Sequence, residues 1–187
     1  MLPEISLNIL DISQNSISAK ATQIKIMVWV NTFKQQIKVQ IKDNGTGMDA
    51  ETVKRVTDPF YTTRTTRKVG LGIPFFKQEA ECTGGSFFIS SVSGQGTDIQ
   101  AIFCTDHIDC MPLGNLNETV YSLIVMHPDI EFYYGYQVNE AEFHLDTKEM
   151  REMLGDIPLN TPEISSFIRD YLEENESDIN RMQNYPG

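Results

Sequence analysis

One stretch decides the fold of this chain: Asp43-Asn44-Gly45-Thr46-Gly47-Met48-Asp49. It follows residues 36–42, in which Ile37, Val39 and Ile41 alternate with polar residues and therefore share one face of a predicted strand. A carboxylate at a strand end, followed by two glycines, predicts a cleft with an acidic floor, because glycines let the backbone turn tightly and let a flat ligand approach. An ordinary Asp-Asn-Gly turn after an edge strand is the alternative interpretation.

The composition predicts a soluble globular chain of one or two domains, since 40% of the 187 residues are hydrophobic. No apolar run approaches ~18 residues, and no basic segment precedes a hydrophobic one at the N-terminus, so we expect neither a membrane span nor a signal peptide. The three cysteines, Cys82, Cys104 and Cys110, lack the spacing of a metal site. They indicate reduced thiols and a cytoplasmic protein.

The net charge of −11 is unevenly distributed along the chain. Residues 1–105 contain 11 Lys and Arg against 9 Asp and Glu, whereas residues 106–187 contain 4 against 17. The composition changes near the turn-forming residues 112–115. We therefore predict a near-neutral domain over residues 1–105 and an acidic C-terminal α+β module of unknown role over residues 106–187. The acidic half argues against nucleic acid as a partner, because its charges would repel the phosphates.

Residues 4–20 are predicted to form a helix, because their apolar residues recur at helical spacing and Pro3 suits its start. Asn8, Asp11 and Asn15 lie on one stripe of this helix, since they are spaced i, i+3 and i+7. Two amides and a carboxylate suit a hydrated Mg²⁺, which prefers oxygen ligands and keeps several waters. A solvated helix face is the alternative interpretation.

The remaining periodicity predicts two hairpins and further helices in the first 105 residues. Strands are predicted at 23–30, 36–42, 86–92 and 97–103, and helices at 49–55 and 73–82. This order predicts an α/β (α+β) two-layer sandwich, with helices on one face of a mostly antiparallel mixed sheet. In the C-terminal part, strands are predicted at 120–126, 131–138 and 141–146, and helices at 147–154 and 161–174.

Residues 57–69 have no periodicity and contain hydroxyls together with the cations Arg64, Arg67 and Lys68. Gly70-Leu71-Gly72 follow them and begin a predicted helix. Glycines at a helix N-terminus form an anion site, because free amides and the positive end of the helix dipole face the ligand. A basic loop without a ligand is the alternative interpretation.

In their order and spacing, these motifs resemble the histidine-kinase-like ATPase superfamily. Its Bergerat nucleotide-binding fold is shared by sensor histidine kinases, anti-sigma serine kinases, DNA gyrase, mismatch-repair ATPases and the ninety-kilodalton heat-shock chaperone. The resemblance covers residues 4–104 and implies binding of ATP with Mg²⁺. Residues 14–22 are similar to the asparagine box, 58–64 to the phenylalanine box, and 43–47, 70–73 and 94–97 to the three glycine boxes.

The resemblance implies a role for each matched residue. Asn15 would coordinate Mg²⁺, Asp43 would accept a hydrogen bond from the amino group of adenine, and Thr97 would reach the adenine through water. The residues implied to bind ATP are Asn15, Asp43, Gly45, Gly47, Met48, Phe60, Thr63, Arg64, Lys68, Gly70, Leu71, Gly72, Ile73 and Thr97.

Asp11 is the candidate catalytic residue. In gyrase-like and mismatch-repair members, a glutamate one helical turn before the asparagine activates the hydrolytic water, and Asp11 occupies that place here. It would serve as a general base or hydroxyl-activating group, and orienting a magnesium-bound water is the alternative role. Lys68, or else Arg64 or Arg67, is the candidate contact for the γ-phosphate.

The missing parts of the family pattern limit the function. Sensor kinases carry a phospho-accepting histidine ahead of this domain, whereas His107, His127 and His144 all lie after it, so we do not expect self-phosphorylation of that kind. We expect a stand-alone cytoplasmic kinase domain that transfers the γ-phosphoryl of ATP to an unidentified partner protein. An ATP-hydrolysing conformational switch and a nucleotide-sensing module without turnover are the alternatives, and homodimerisation stays open.

Overall fold

The computed structural model describes residues 3–58 and 71–187. Its helices are α1 (Ile5–Ser18), α2 (Ala50–Val56), α3 (Gly72–Cys82), α4 (Leu116–Met126), α5 (Thr147–Leu154) and α6 (Pro162–Met182). Its strands are β1 (Gln23–Asn31), β2 (Gln36–Asp43), β3 (Ser86–Val92), β4 (Gly96–Cys104), β5 (Glu131–Val138) and β6 (Ala141–Asp146). Among the described residues, no helix combines the length and the apolar character needed to cross a bilayer.

The strands form one six-stranded mixed sheet in the order β3-β4-β2-β1-β5-β6. Four of the strand contacts are antiparallel, and β1 pairs with β5 in parallel. The predicted α+β sandwich with a mostly antiparallel mixed sheet is therefore confirmed. The connection between parallel neighbours requires a crossover, and α4 lies in the chain segment that leads to β5.

One face of the sheet is buried beneath the helices. In β1, Ile24, Ile26 and Val28 are fully buried, while Lys25 points to the opposite face and is exposed. This alternation follows from the period of two residues in a strand. A single hydrophobic core joins these strands to residues of α1, α3, α4 and α6 (Ile9, Phe76, Leu123 and Leu172 among them).

Residues beyond position 105 complete both the sheet and the first helix. The backbone amide of Ile5 donates to the carbonyl of Pro112 at 3.0 Å, and that of Ser6 donates to the carbonyl of Leu113 at 2.9 Å. The first amides of a helix have no partner inside the helix, so these bonds satisfy groups that would otherwise stay unpaired. The change of charge near residue 105 is therefore not a boundary of the sheet or of the core.

The predicted strand at 120–126 is wrong, because these residues belong to α4. The β-branched and aromatic side chains of this run favoured a strand, but Leu116, Val120, Leu123 and Ile124 are all buried at helical spacing. Asn115 caps the helix by accepting a hydrogen bond from the amide of Glu118 at 2.9 Å. The other C-terminal elements form as predicted, except that α6 continues past residue 174 to Met182.

Polar groups are buried where α6 packs on β5. The hydroxyl of Tyr136 donates to Oδ1 of Asn180 at 2.9 Å. Among the described residues, the hydroxyl of Tyr134 and Oε2 of Glu176 have no hydrogen-bond partner. Burial raises the pKa of Glu176 above its ordinary value, and the nearby amides of Asn117 and Asn180 offset only part of that effect.

We expect Glu176→Gln to stabilise the protein at pH 8 by about 1 kcal/mol, because it removes a buried charge that is incompletely hydrogen-bonded. A raised carboxyl pKa means that the folded state holds the proton more tightly than the unfolded state. At low pH the Glu176 carboxyl is protonated and its burial does not lower the free energy of unfolding. As the pH rises through the folded-state pKa, the buried charge forms and the free energy of unfolding decreases. Urea unfolding at pH 4.5 and pH 8 measures the difference between variant and wild type.

The matched control is Glu174→Gln, which changes an exposed glutamate on the same helix. It should leave the pH dependence unchanged. Equal stability of Glu176→Gln and wild type at pH 8 would contradict the burial effect.

Candidate functional site

A cavity of about 250 Å³ opens at the end of β2, between the sheet and α1. Its walls are mainly apolar, and one buried carboxylate, Asp43, lies at its end. This volume lies just below the range of about 300–1,000 Å³ that is typical of ligand pockets, and it suits a single planar base. The cavity is lined by Ile12, Asn15, Ser16, Ala19, Asp43, Gly47, Met48, Thr52, Val56, Ile73, Thr97 and Ile99.

Asp43 is held at the cavity by two hydrogen bonds, one to each carboxylate oxygen. The hydroxyl of Ser16 donates to Oδ2 at 2.6 Å, and the backbone amide of Gly45 donates to Oδ1 at 2.8 Å. Thr97 lies directly opposite Asp43 in the pairing of β2 with β4. The two residues to which the resemblance assigned base recognition therefore lie side by side, although they are distant in the chain.

The first and third glycine boxes are packed against each other without space for side chains. Gly47 has a φ of +63°, and a Cβ there would lie 2.0 Å from the carbonyl oxygen of Val92. Gly96 has a φ of +110°, and its Cβ would lie 2.0 Å from the carbonyl oxygen of Asp43. The amide of Gly94 also donates to the carbonyl of Thr46 at 2.6 Å. The glycines are therefore needed both for the tight turns and for the close approach of the two backbones.

Ser91 connects these two boxes, and no sequence motif predicted it. Its hydroxyl accepts a hydrogen bond from the amide of Met48 at 2.9 Å and donates to the carbonyl of Gly96 at 2.9 Å. It also lies 2.8 Å from the hydroxyl of Thr97. The pairing of β3 with β4 places Ser91 opposite Thr97. The register of this hairpin was therefore the sequence signal that could have identified Ser91 as part of the site.

A second cluster brings together Asp11, Asn15 and the first turn of α3. A Cβ on Gly72 would lie 3.2 Å from Cβ of Asp11, 3.9 Å from its Oδ2, and 4.0 Å from Nδ2 of Asn15. The first amides of α3 have no partner within the helix. A carboxylate, an amide and a helix N-terminus therefore meet beside the cavity, an arrangement that suits an anion with its cation.

Two residues from the predicted motifs, Leu71 and Asn8, do not line the cavity. Leu71 precedes α3 with an exposed side chain. Asn8 does not extend the stripe into the site, because its amide donates to the carboxylate of Glu79 on α3. Burial raises the pKa of Glu79 above its ordinary value, and the bond from Asn8 opposes that rise. The predictions for Phe60, Thr63, Arg64, Arg67, Lys68 and Gly70 fall outside the described residues.

The donor set suits Mg²⁺. Mg²⁺ prefers oxygen ligands, keeps several waters and is commonly held by one or two protein groups together with phosphates. The side-chain amide of Asn15 and the carboxylate of Asp11, one helical turn apart on α1, would provide such groups beside the α3 N-terminus. Within the described ranges, no group of three or more His, Cys, Asp or Glu forms an alternative metal cluster.

Another groove, of about 430 Å³, lies on the other side of Asp43. Lys25, Lys42 and Lys148 line it together with Glu131 and other polar residues. Mixed charge and exposed lysines do not form a slot for a flat base, so the smaller apolar cavity remains the better candidate.

Residues 2–107 match the family model described as "Histidine kinase-, DNA gyrase B-, and HSP90-like ATPase". The match covers more than half of the chain. The chain belongs to this ATPase family. The expected resemblance is therefore confirmed, and membership of this family makes the matched region an ATP-binding domain.

Curated relatives are signal-transduction proteins. The histidine-protein kinase AtoS of Escherichia coli is 32% identical over 102 residues, which cover 54% of this chain and 16% of that kinase. The sensor protein kinase WalK of Staphylococcus haemolyticus is 33% identical over 82 residues, which cover 41% of this chain and 14% of the kinase. This chain therefore spans a small fraction of the length of these ATPase-family relatives.

Solved structures share the fold beyond the matched region. The Aquifex aeolicus MutL ATPase domain complexed with ADP has a TM-score of 0.50 at 14% identity, covering 91% of this chain and 88% of that one. The N-terminal domain of a DNA repair protein has a TM-score of 0.53 at 13% identity, covering 76% of this chain and 51% of that one. At these identities the likeness shows the fold alone.

Proposed function

We propose that this ATPase-family domain transfers the γ-phosphoryl group of ATP to a hydroxyl group of a partner protein. The acceptor oxygen forms a bond to the γ-phosphorus while the bond from that phosphorus to the β–γ bridging oxygen breaks, and ADP leaves. The proton of the acceptor hydroxyl moves to Asp11. In this role Asp11 is a general base. The first requirement for a general base is a hydrogen-bonding distance to the reacting hydroxyl, and a suitable pKa is the second.

The observation that most directly supports this reaction is the position of Gly72 beside Asp11 and Asn15. The Cβ that Gly72 lacks would lie 3.2 Å from Cβ of Asp11 and 4.0 Å from Nδ2 of Asn15. The amides of α3 would bind the phosphates, and the carboxylate beside them would meet the acceptor. Positioning and charge neutralisation supply most of the catalysis in phosphoryl transfer, so this grouping suits the reaction.

Base recognition would occur at the apolar cavity, with Asp43 and Thr97 facing the adenine and Met48 and Ile73 packing beside it. Asn15 would hold the magnesium ion. When bound, Mg²⁺ neutralises phosphate charge as that charge shifts toward the leaving oxygen. The family match supports ATP as the ligand. The names of the kinase relatives support a protein as the phosphoryl acceptor.

We expect Asp11→Asn to lower phosphoryl transfer about 100-fold or more while nucleotide affinity stays within a few-fold of wild type, because the amide keeps the shape but cannot take the proton. The assay incubates purified protein and its co-purifying proteins with γ-labelled ATP. It follows label on protein and release of free phosphate separately, and calorimetry measures nucleotide affinity.

The matched control is Asp170→Asn, which makes the same chemical change on the exposed surface of α6. It should transfer label at the wild-type rate. Unchanged transfer by Asp11→Asn would contradict its role as a base. Wild-type protein that releases phosphate without labelling any protein would indicate the hydrolysing switch, and binding without either product would indicate nucleotide sensing.

The switch is the second candidate, and one observation favours it. The amides of Ile5 and Ser6 at the start of α1 bond to the carbonyls of Pro112 and Leu113. In addition, the hydroxyl of Thr119 on α4 donates to the carbonyl of Ser6 at 3.4 Å. The helix that carries Asp11 is therefore supported directly by the acidic C-terminal part. A change of α1 on nucleotide binding would be transmitted to that surface and alter its contact with a partner.

A further inference from the structure

Ser16 is a buried hydroxyl at the cavity. It lies within the asparagine-box stretch, residues 14–22, but the resemblance assigned it no role. It is 4% exposed, lies on α1 next to Asn15, and lines the cavity beside Asp43. Its oxygen is 2.6 Å from Oδ2 of Asp43 and 3.4 Å from the carbonyl oxygen of Ile12. A hydroxyl has one proton to donate. The shorter distance falls in the range of about 2.5–2.7 Å typical of hydroxyl-to-carboxylate bonds, so the proton goes to Asp43.

This bond decides how Asp43 presents its lone pairs. The terminal torsion of an aspartate is broad, so a carboxylate at a strand end can rotate about it. Here Ser16 holds Oδ2 and the amide of Gly45 holds Oδ1 at 2.8 Å. With one donor fixed on each oxygen, the plane of the carboxylate is set. Each oxygen has about two lone-pair sites, so acceptor capacity remains for a ligand in the cavity.

We propose that Ser16 is the positioning residue for base selectivity. By fixing the plane of the Asp43 carboxylate, it directs the remaining lone pairs at the 6-amino group of adenine. This inference rests on the proposed recognition of adenine by Asp43. It adds that the preference for an amino group depends on preorganisation by a second side chain, since an acceptor already held in place loses less freedom on binding.

The test compares two ligands on wild type and Ser16→Ala by calorimetry in excess Mg²⁺. The ligands are ATP and purine riboside 5′-triphosphate, which carries hydrogen in place of the 6-amino group. We expect Ser16→Ala to weaken ATP binding about tenfold and to change binding of the purine analogue less than about twofold, because the analogue gives Asp43 no amino group to hold. The ratio of the two affinities is the readout.

A residue that merely supports the fold would lower both affinities by the same factor. That result would overturn the proposal, as would unchanged or tighter ATP binding by Ser16→Ala. Wild-type protein that binds neither ligand would contradict the proposed function together with this inference. Wild-type protein that prefers ATP, with Ser16→Ala keeping the same preference, would contradict this inference alone.

Ser13 provides a matched control. It lies on the same helix, is fully buried, does not line the cavity, and its hydroxyl has no partner among the described residues. Ser13→Ala should leave both affinities at wild-type values. If Ser16→Ala fails to fold by circular dichroism, Ser16→Cys keeps the side-chain shape with a weak donor. It should show the same selective loss for ATP.

Discussion

Replacing Asp43 with alanine is expected to weaken ATP binding about 100-fold or more, because the cavity would lose the acceptor that recognises the 6-amino group. The effect should be largest for ATP and small for purine riboside 5′-triphosphate. Calorimetry with the magnesium complexes measures both. Asp43→Asn should behave similarly, because one of the two acceptor oxygens of the carboxylate is replaced by an NH₂ group, which donates and cannot accept.

Asp98→Ala is the control for this substitution. Asp98 lies on β4 one residue from Thr97, and its carboxylate accepts hydrogen bonds from the amide of Gln40 at 2.9 and 3.0 Å. It does not line the apolar cavity. Its replacement should therefore leave nucleotide affinity unchanged. If Asp43→Ala binds ATP as tightly as wild type, the carboxylate does not recognise the base.

Replacing Gly47 with alanine is expected to destabilise the protein by about 3 kcal/mol or more and to abolish nucleotide binding. Two costs add: a positive φ of +63° strains any residue with a Cβ, and that Cβ would lie 2.0 Å from the carbonyl oxygen of Val92. The rigid backbone of the facing hairpin cannot move away without breaking the contact between the two glycine boxes. Urea unfolding followed by circular dichroism measures the loss.

Gly94→Ala separates the two costs. Gly94 has a φ of +80°, similar to that of Gly47, but a Cβ there meets nothing within 4 Å. It should cost only about 1 kcal/mol, the strain of the backbone conformation alone. Equal destabilisation by both substitutions would show that the close approach of the boxes contributes nothing.

The local patterns of the sequence predicted most of the sheet. Alternation in 23–30 and 36–42 carries the information for β1 and β2, since one face of each strand is buried. The same reasoning failed at 120–126. The composition of that run favours a strand, and burial of Leu116, Val120 and Leu123 on one helical face decided otherwise. Which face is buried depends on α1 and α6, and no local window contains them.

The candidate site was predictable where the resemblance assigns a role to a residue, and not where a residue supports one of those residues. Asp43 and Thr97 stood in glycine boxes, and the register of β2 with β4 places them opposite each other. Ser91 lies outside every motif, and Ser16 lies within the asparagine-box stretch, residues 14–22, but the resemblance assigned it no role. Their partners, Asp43 and Met48, are far away in the sequence. A serine in a helix or a strand has many ordinary explanations, and its hydrogen-bond partner is visible only in the folded chain.

Binding of the two purine nucleotides to wild-type protein tests the central claim most directly. Calorimetry in excess Mg²⁺ should show one saturable site for ATP, and GTP should bind about tenfold more weakly or worse. Guanine presents a carbonyl oxygen where adenine has its amino group, and that oxygen would face the carboxylate of Asp43. Absence of heat with ATP, or equal affinity for ATP and GTP, would contradict the assignment of this cavity to adenine.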